Sequence, residues 1–380
     1  LAEQKHDELS RRFGPLGLRV IVSTRDHWEE DVALLQGDFD VAVAVPEKAR
    51  ALFAQNPALL SVFSVVVADE IHLLADRERG PALEVLLGDF LTLGDVQILG
   101  LTAAVSNARD LAAWLRAQPV EEALRPVELR LGVVTDGEFV YKELNGGRWA
   151  REPLAHRALG EGWDGAVGGL ALDLARASEA TIVFVRDRPS ANRLARLIAA
   201  ESDLPVAQGL ATRLQSCPDT AAVNLLRELA AAGVAVHHAD LQSAERVAVE
   251  ASLAEGDVLI VVATSSLALG VNLPARNVII DPVQWRQPLG EDGRAAQGPL
   301  PLPDFLAMAG RAGRLKYGEA FGRAILVAAT PLQRDALVGA YVDAELPALE
   351  PALLSLADED RAVALGTGLS AAQRGLEEAW

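Results

Sequence analysis

One cysteine, Cys217, stands in the whole chain, which excludes an internal disulfide and fits a reducing cytoplasm. Lysine is nearly as scarce: Lys5, Lys48, Lys142 and Lys316 are the only ones among 35 basic residues, set against 53 acidic ones for a formal net charge of −18. That balance excludes wrapping a polyanion over the whole surface, but it leaves room for a local basic track. No basic segment followed by an apolar run opens the sequence, so no secretory signal is visible. The longest uncharged stretch, residues 258–275, contains Thr264, Ser265, Ser266, Gly270, Asn272 and Pro274, a set that a membrane-spanning helix does not tolerate. A cytoplasmic protein with no membrane partner is expected. Two motifs are also missing. The absence of Gly-x-Ser-x-Gly argues against a serine hydrolase. No Gly-x-x-x-x-Gly-Lys-Ser/Thr phosphate loop occurs either.

What is present is a chain of 380 residues, half of them hydrophobic. That is too long for one ordinary core and too apolar for disorder. Val- and Ile-rich runs at residues 18–23, 39–45, 63–68 and 96–101 alternate with stretches of helical spacing such as 108–115. This is the pattern of a parallel sheet buried on both faces. A second series follows, with strands expected at 181–185, 234–236, 257–262, 277–280 and 323–327 and helices at 190–200 and 244–254. Leu194, Leu197 and Ile198 mark the apolar face of the first of these helices. Between the series the composition turns glycine-rich, from Gly137 to Gly169, and the domain boundary is placed there. The expected division is a first domain at 1–150, a second at 165–330 and a helical tail at 331–380, which could begin a winged-helix domain. Residues 284–303 read as a surface loop.

Three segments carry chemistry. The run Ser64-Val65-Val66-Val67-Ala68 ends in Asp69-Glu70-Ile71-His72. At the carboxyl end of a parallel strand an Asp can hold Mg²⁺ on nucleotide phosphates, while the next Glu orients and deprotonates a water. Alone, so short a box also reads as a strand cap with two solvated acids. Far along the chain, Gly310-Arg311-Ala312-Gly313-Arg314 sets two guanidinium groups three residues apart, suited to charge building on a transferring phosphoryl group. Both glycines suggest close backbone approach. The third segment, 258–275, runs from a strand into a hydroxyl-rich turn whose donors suit the phosphate oxygens of a nucleic-acid strand. His72, His237 and His238 have no cysteine partner and no ligand spacing, and do not suggest a metal site.

In this order and separation the three segments resemble the superfamily 2 helicases, in particular the DExH branch that includes the superkiller-like RNA helicases and the archaeal DNA-repair helicases. The resemblance runs from Leu1 to about Ala329. It implies an α/β fold of two tandem recombinase-like domains of the P-loop NTPase type, the first incomplete, with ATP and Mg²⁺ as cofactors and single-stranded DNA or RNA as partner. It implies catalytic roles for Asp69, Glu70, Arg311 and Arg314, with Asp69 on Mg²⁺ through the ATP phosphates. It assigns ATP binding and coupling to His72, Thr102, Gly270, Asn272 and Gly310, and strand contact to Pro46, Lys48, Thr264 and His238. Leu101-Thr102-Ala103-Ala104 looks like the family's Ser-Ala-Thr motif. The segment around Arg130-Leu131-Gly132-Val133 looks closer to the DNA-repair members, although reading a backbone alone does not separate DNA from RNA.

The chain also departs from the family. Leu1-Ala2-Glu3-Gln4-Lys5 resembles the motif that comes after the phosphate loop, so that loop is expected upstream of Leu1, and the chain as given is expected not to hydrolyse ATP. Ala104, Ala307 and Val45 stand where the family has Thr, Gln and Thr. Two readings therefore stand at this point: the core of an active helicase, or a degenerate relative that only binds nucleic acid or a protein. Retention of both acids and both arginines favours the first.

Overall fold

The computed structural model describes residues 2–24, 28–77, 79–102, 105–122, 124–264, 275–286, 296–313 and 320–355. Two units emerge, Leu1–Glu121 with Glu345–Trp380, and Glu122–Ala344.

In the first unit, α1 (Ala2–Phe13) precedes β1 (Val20–Ser23), and α2 (Asp31–Gln36) leads to β2 (Val41–Ala44). These two strands pair in parallel with Ser23 opposite Ala44. Helix α3 (Pro46–Gln55) starts at once, with Pro46 in the first turn, where a missing N–H costs nothing. Val45, with no polar side-chain atom, supplies no side-chain cap to it. A second parallel pair, β3 (Val65–Ala68) and β4 (Gln97–Gly100), is connected through α4 (Gly80–Leu93), and α5 (Ala108–Trp114) comes next. Their core gathers Leu74, Leu83, Leu87, Ile98 and Trp114. Within it Phe53, Phe63 and Phe90 meet edge to face, with centroids 5.5, 5.9 and 5.7 Å apart.

In this unit the described residues cover only one face of the β3–β4 pair. Val65, Val67, Leu99 and Leu101 are 45, 56, 44 and 50% exposed. Residues two apart share a face, so the side carrying Ala68 and Ile98 packs on the core while the other side is exposed in the chain as given. Apolar composition marks a strand; what covers it is settled elsewhere in the chain.

The second unit holds a sheet of eight described strands in the order β7-β6-β5-β14-β11-β8-β10-β9. Its parallel part comprises β5 (Glu128–Thr135), β14 (Phe321–Val327), β11 (Asn277–Ile280), β8 (Thr181–Phe184), β10 (Ile260–Ala263) and β9 (Val234–His237). The strands β8 to β11 are buried along their whole length, as the unbroken apolar runs require. Helices α6 (Gly162–Arg176), α7 (Arg188–Ala200), α8 (Gln208–Arg213), α9 (Ala221–Ala230) and α10 (Ser243–Glu255) make the crossovers, and α11 (Leu302–Ala309) and α12 (Pro331–Leu337) flank β14.

Three boundary expectations are corrected. The first domain does not extend to residue 150, because β5 pairs with β14 and turns into β6 (Glu138–Glu143) and β7 (Trp149–Pro153) of the same sheet. The β5–β6 turn is Asp136-Gly137, with φ of 50° and 76°, a two-residue hairpin turn hidden inside the glycine-rich stretch. Residues 284–303 are not all loop: β12 (Val283–Arg286) and β13 (Ala296–Pro299) form an antiparallel ladder. The tail divides, since α12 stays with the second unit while the described residues from Glu345 to Ser355 return to the first. There Asn107 Nδ2 donates to Leu349 O at 3.1 Å and its Oδ1 accepts from Leu349 N at 2.8 Å, and α13 (Ala352–Ser355) packs on α4. A winged-helix start beyond residue 355 lies outside the described residues.

Near the amino ends of β5, β11 and β14, Arg323 joins Glu152 (2.6 Å), Glu179 (2.9 Å) and Asn277 (3.1 Å). Arg130 also meets Glu152 at 2.7 Å, and Arg276 meets Glu179 at 2.9 Å. All three guanidinium groups lie against the Phe321 ring.

Candidate nucleotide and nucleic-acid site

Strand β3 ends at Ala68, and two backbone bonds tie its carboxyl end and the turn after it to the end of β4: Leu101 N to Ala68 O and Ile71 N to Leu101 O, both 2.8 Å. Between them the chain bends sharply, and Glu70 takes φ 54°, a left-handed conformation that a side chain with a Cβ rarely adopts. Such strain persists only where the surroundings enforce it, and it gathers at functional sites. The turn brings Glu70 Oε2 to 3.3 Å from His72 Nδ1, and Thr102 Oγ1 lies 3.4 Å from the same nitrogen. Asp69 is exposed, with Oδ1 accepting the Glu70 N–H at 3.1 Å. Asp69, Glu70, His72 and Thr102, far apart in sequence in the last case, therefore share the carboxyl edge of β3 and β4.

In the second unit the arginine box leaves α11 and docks on the sheet. Ala275 N donates to Arg311 O at 2.9 Å and Gly313 N to Ala275 O at 2.8 Å. Gly313 has φ 93°, and a Cβ there would stand 2.8 Å from Val127 Cγ1. At the facing Gly322 a Cβ would stand 2.2 Å from Gly313 N. The expectation of close backbone approach thus holds at Gly313. It is corrected at Gly310, an exposed residue that continues the helical conformation, where an added Cβ would meet Leu306 O at 3.2 Å, a tight but far lesser conflict. Arg314, Gly270 and Asn272 lie outside the described residues.

Of the strand-contact candidates, Pro46 opens α3 and Lys48 is already engaged, its Nζ 2.5 Å from Asp31 Oδ2 while Ser23 Oγ donates to Asp31 Oδ1 at 2.6 Å. Thr264 and His238 come together, because β9 and β10 are neighbours with His237 opposite Ala263 and Thr264 N bonds to His237 O. His238 is only 4% exposed and its Nε2 pairs with Asn192 Oδ1 at 3.3 Å. Burial, then the neighbouring His237 and Arg188, push its pKa below the usual histidine range, with Glu245 opposing.

His238 lines a cleft of about 610 Å³ together with Arg188, Pro189, Asn192, Arg193, Arg196 and Asp240. The sequence reading missed these arginines by tracking only the apolar face of α7. Arg188, Asn192 and Arg196 recur every fourth residue, a polar stripe legible in the sequence.

Residues 1–111 match the DEAD/DEAH box helicase family and residues 212–316 the helicase conserved C-terminal domain. With the parallel sheet and the Asp-Glu-x-His turn, these matches put the chain among the superfamily 2 helicases, on the archaeal DNA-repair branch. It is 35% identical over 349 residues to the ATP-dependent DNA helicase Hel308 of Pyrobaculum calidifontis, covering 89% of this chain and 46% of that protein. Hel308 of Pyrococcus horikoshii is 34% identical over 337 residues (87% and 43%), and that of Methanocella arvoryzae 32% over 357 residues (91% and 46%). The chain spans less than half the length of these relatives.

Proposed function

We propose that the chain is the motor core of an ATP-dependent helicase that moves on single-stranded DNA. The observation that carries this reading is the strained turn after β3, which gathers Glu70 and Thr102 around His72 Nδ1, in contacts of 3.3 and 3.4 Å, beside the exposed Asp69. Mg²⁺ bound to phosphates needs only one or two protein carboxylates, and Asp69 offers one. Bound Mg²⁺ and ATP supply the phosphoryl group and most of the charge that neutralises it. Glu70 orients the attacking water and takes its proton. His72 and Thr102 connect that carboxylate to the loop after β4. The resemblance assigns neutralisation of the transferring group to Arg311 and Arg314, and coupling to Gly310, Gly270 and Asn272.

In the second unit Thr264 and the cleft beside His238 hold the strand through its phosphates; in the first, Lys48 supplies the cation in the helix turn that Pro46 opens. Among the described residues Lys48 pairs with Asp31, and an ammonium group carries three N–H donors. DNA is favoured over RNA because the relatives are DNA helicases by name. For the same reason, the alternative of a degenerate binding module draws no support. In the full-length protein, Glu70→Gln should lower DNA-stimulated ATP hydrolysis by roughly 10²–10⁴-fold while ATP still binds. Turnover at the wild-type rate in that variant would refute the assignment.

A further inference from the structure

The cleft beside α7 presents three guanidinium groups, and each has an acid on it. Arg193 Nε lies 3.0 Å from Asp164 Oδ2, Arg196 Nε lies 3.5 Å from Glu228 Oε1, and Arg188 pairs with Asp240. Asp240 is the acid that also lines the cleft. It stands in the loop after β9, two residues beyond His238, while Arg188 is the first residue of α7. Their pair thus joins the two elements that form the cleft.

Both side chains are more than half exposed, 53 and 56%, so water screens the pair and it holds weakly. A phosphodiester offers a guanidinium fork the same two-oxygen geometry as a carboxylate. Asp240 is therefore both a neighbour and a chemical likeness of the ligand that an arginine-lined cleft recognises.

We propose that Asp240 is a built-in competitor for the phosphate backbone, its carboxylate occupying Arg188 and being exchanged for a phosphate oxygen when a single strand binds. This rests on the reading of the chain as a motor on single-stranded DNA. Arg188 is neutralised before and after the exchange, so it contributes to affinity only the difference between two similar pairs. A shallow hold of this kind raises the off-rate, and a motor must release each phosphate in order to step.

The test is fluorescence anisotropy of a labelled oligo-deoxythymidine against the 380-residue chain as wild type, Asp240→Asn, Arg188→Gln and the double variant, at several salt concentrations. Asp240→Asn should bind about 3–5-fold tighter at low salt. The slope of log affinity against log salt should stay close to that of the wild type, since Arg188 neutralises one phosphate in both, and should fall by about 0.7 in Arg188→Gln. Arg188→Gln should weaken binding, and in its background Asp240→Asn should give no gain, since there is no fork to free. A second variant, Asp240→Ser, should repeat the gain. Unchanged or weaker binding by Asp240→Asn, or the same gain with Arg188→Gln, would overturn the competition while leaving the motor reading intact. Absence of binding by wild type and all variants would overturn both.

Discussion

Replacing Arg323 tests the charge network that ties the β5–β7 ribbon to the parallel sheet of the second unit. Its side chain is 11% exposed and reaches Glu152, Glu179 and Asn277 at 2.6, 2.9 and 3.1 Å. Removing one partner of a buried ion pair costs about 3–5 kcal/mol, because a charge is left without compensation. Here the cost is reduced, since Glu152 keeps Arg130 and Glu179 keeps Arg276, and both acids are about a fifth exposed. Arg323→Leu removes these bonds and the guanidinium that lies over the Phe321 ring, and with both acids still paired the expected loss is about 2–3 kcal/mol. Native-state hydrogen exchange of the β11 and β14 amides reads it directly, without assuming that the two units unfold together. Arg323→Lys should recover only part of the loss, because an ammonium cannot span two carboxylates and an amide in one plane. A loss below about 0.5 kcal/mol in the Leu variant, or full recovery by Lys, would show that the network does not hold the ribbon.

Glu84 of α4 is fully buried, and burial lifts its pKa from 4.5 to about 7, opposed by the Leu353 N–H. A carboxyl group raised in the folded state stabilises that state below the unfolded pKa, and this is lost as pH climbs through the folded value. Protection of the α4 amides should therefore decline between pH 4.5 and about 7 by about 3 kcal/mol at most, then level off. Glu84→Gln should flatten that window, and an unchanged profile would exclude Glu84 as its source. Gly322→Ala would put a methyl carbon 2.2 Å from Gly313 N and should destabilise the second unit by about 1–3 kcal/mol while displacing the arginine box. Gly339→Ala, with nothing within 4 Å, is its control, and equal melting of the two variants would contradict the close approach.

Much of this protein is written locally. Strands β8 to β11 are readable because burial on both faces demands unbroken Val and Ile, and their helices because one apolar stripe must face that sheet. The Asp-Glu-x-His box is readable because its strand and its acids are adjacent in sequence. Its partner Thr102, thirty residues on, was legible through family resemblance, whereas the contact itself needed β4 to pair with β3.

Other features depend on long-range pairing that periodicity does not encode. The ribbon from Glu128 to Pro153 reads as the end of the first domain and the start of a glycine-rich boundary until β14, nearly two hundred residues later, supplies its parallel partner. The return of Leu349 to Asn107 is equally silent in sequence, since two backbone bonds to one amide leave no pattern. Lys48 offers the same lesson at a single side chain: the sequence shows a cation, and the fold brings Asp31 to it. Composition and spacing determined which segments form strands, helices and acid or arginine boxes, because those are set within a few residues. The tertiary structure decided which charges meet, which faces stay open and where one unit ends, because each of these depends on atoms that only folding brings within a few ångströms.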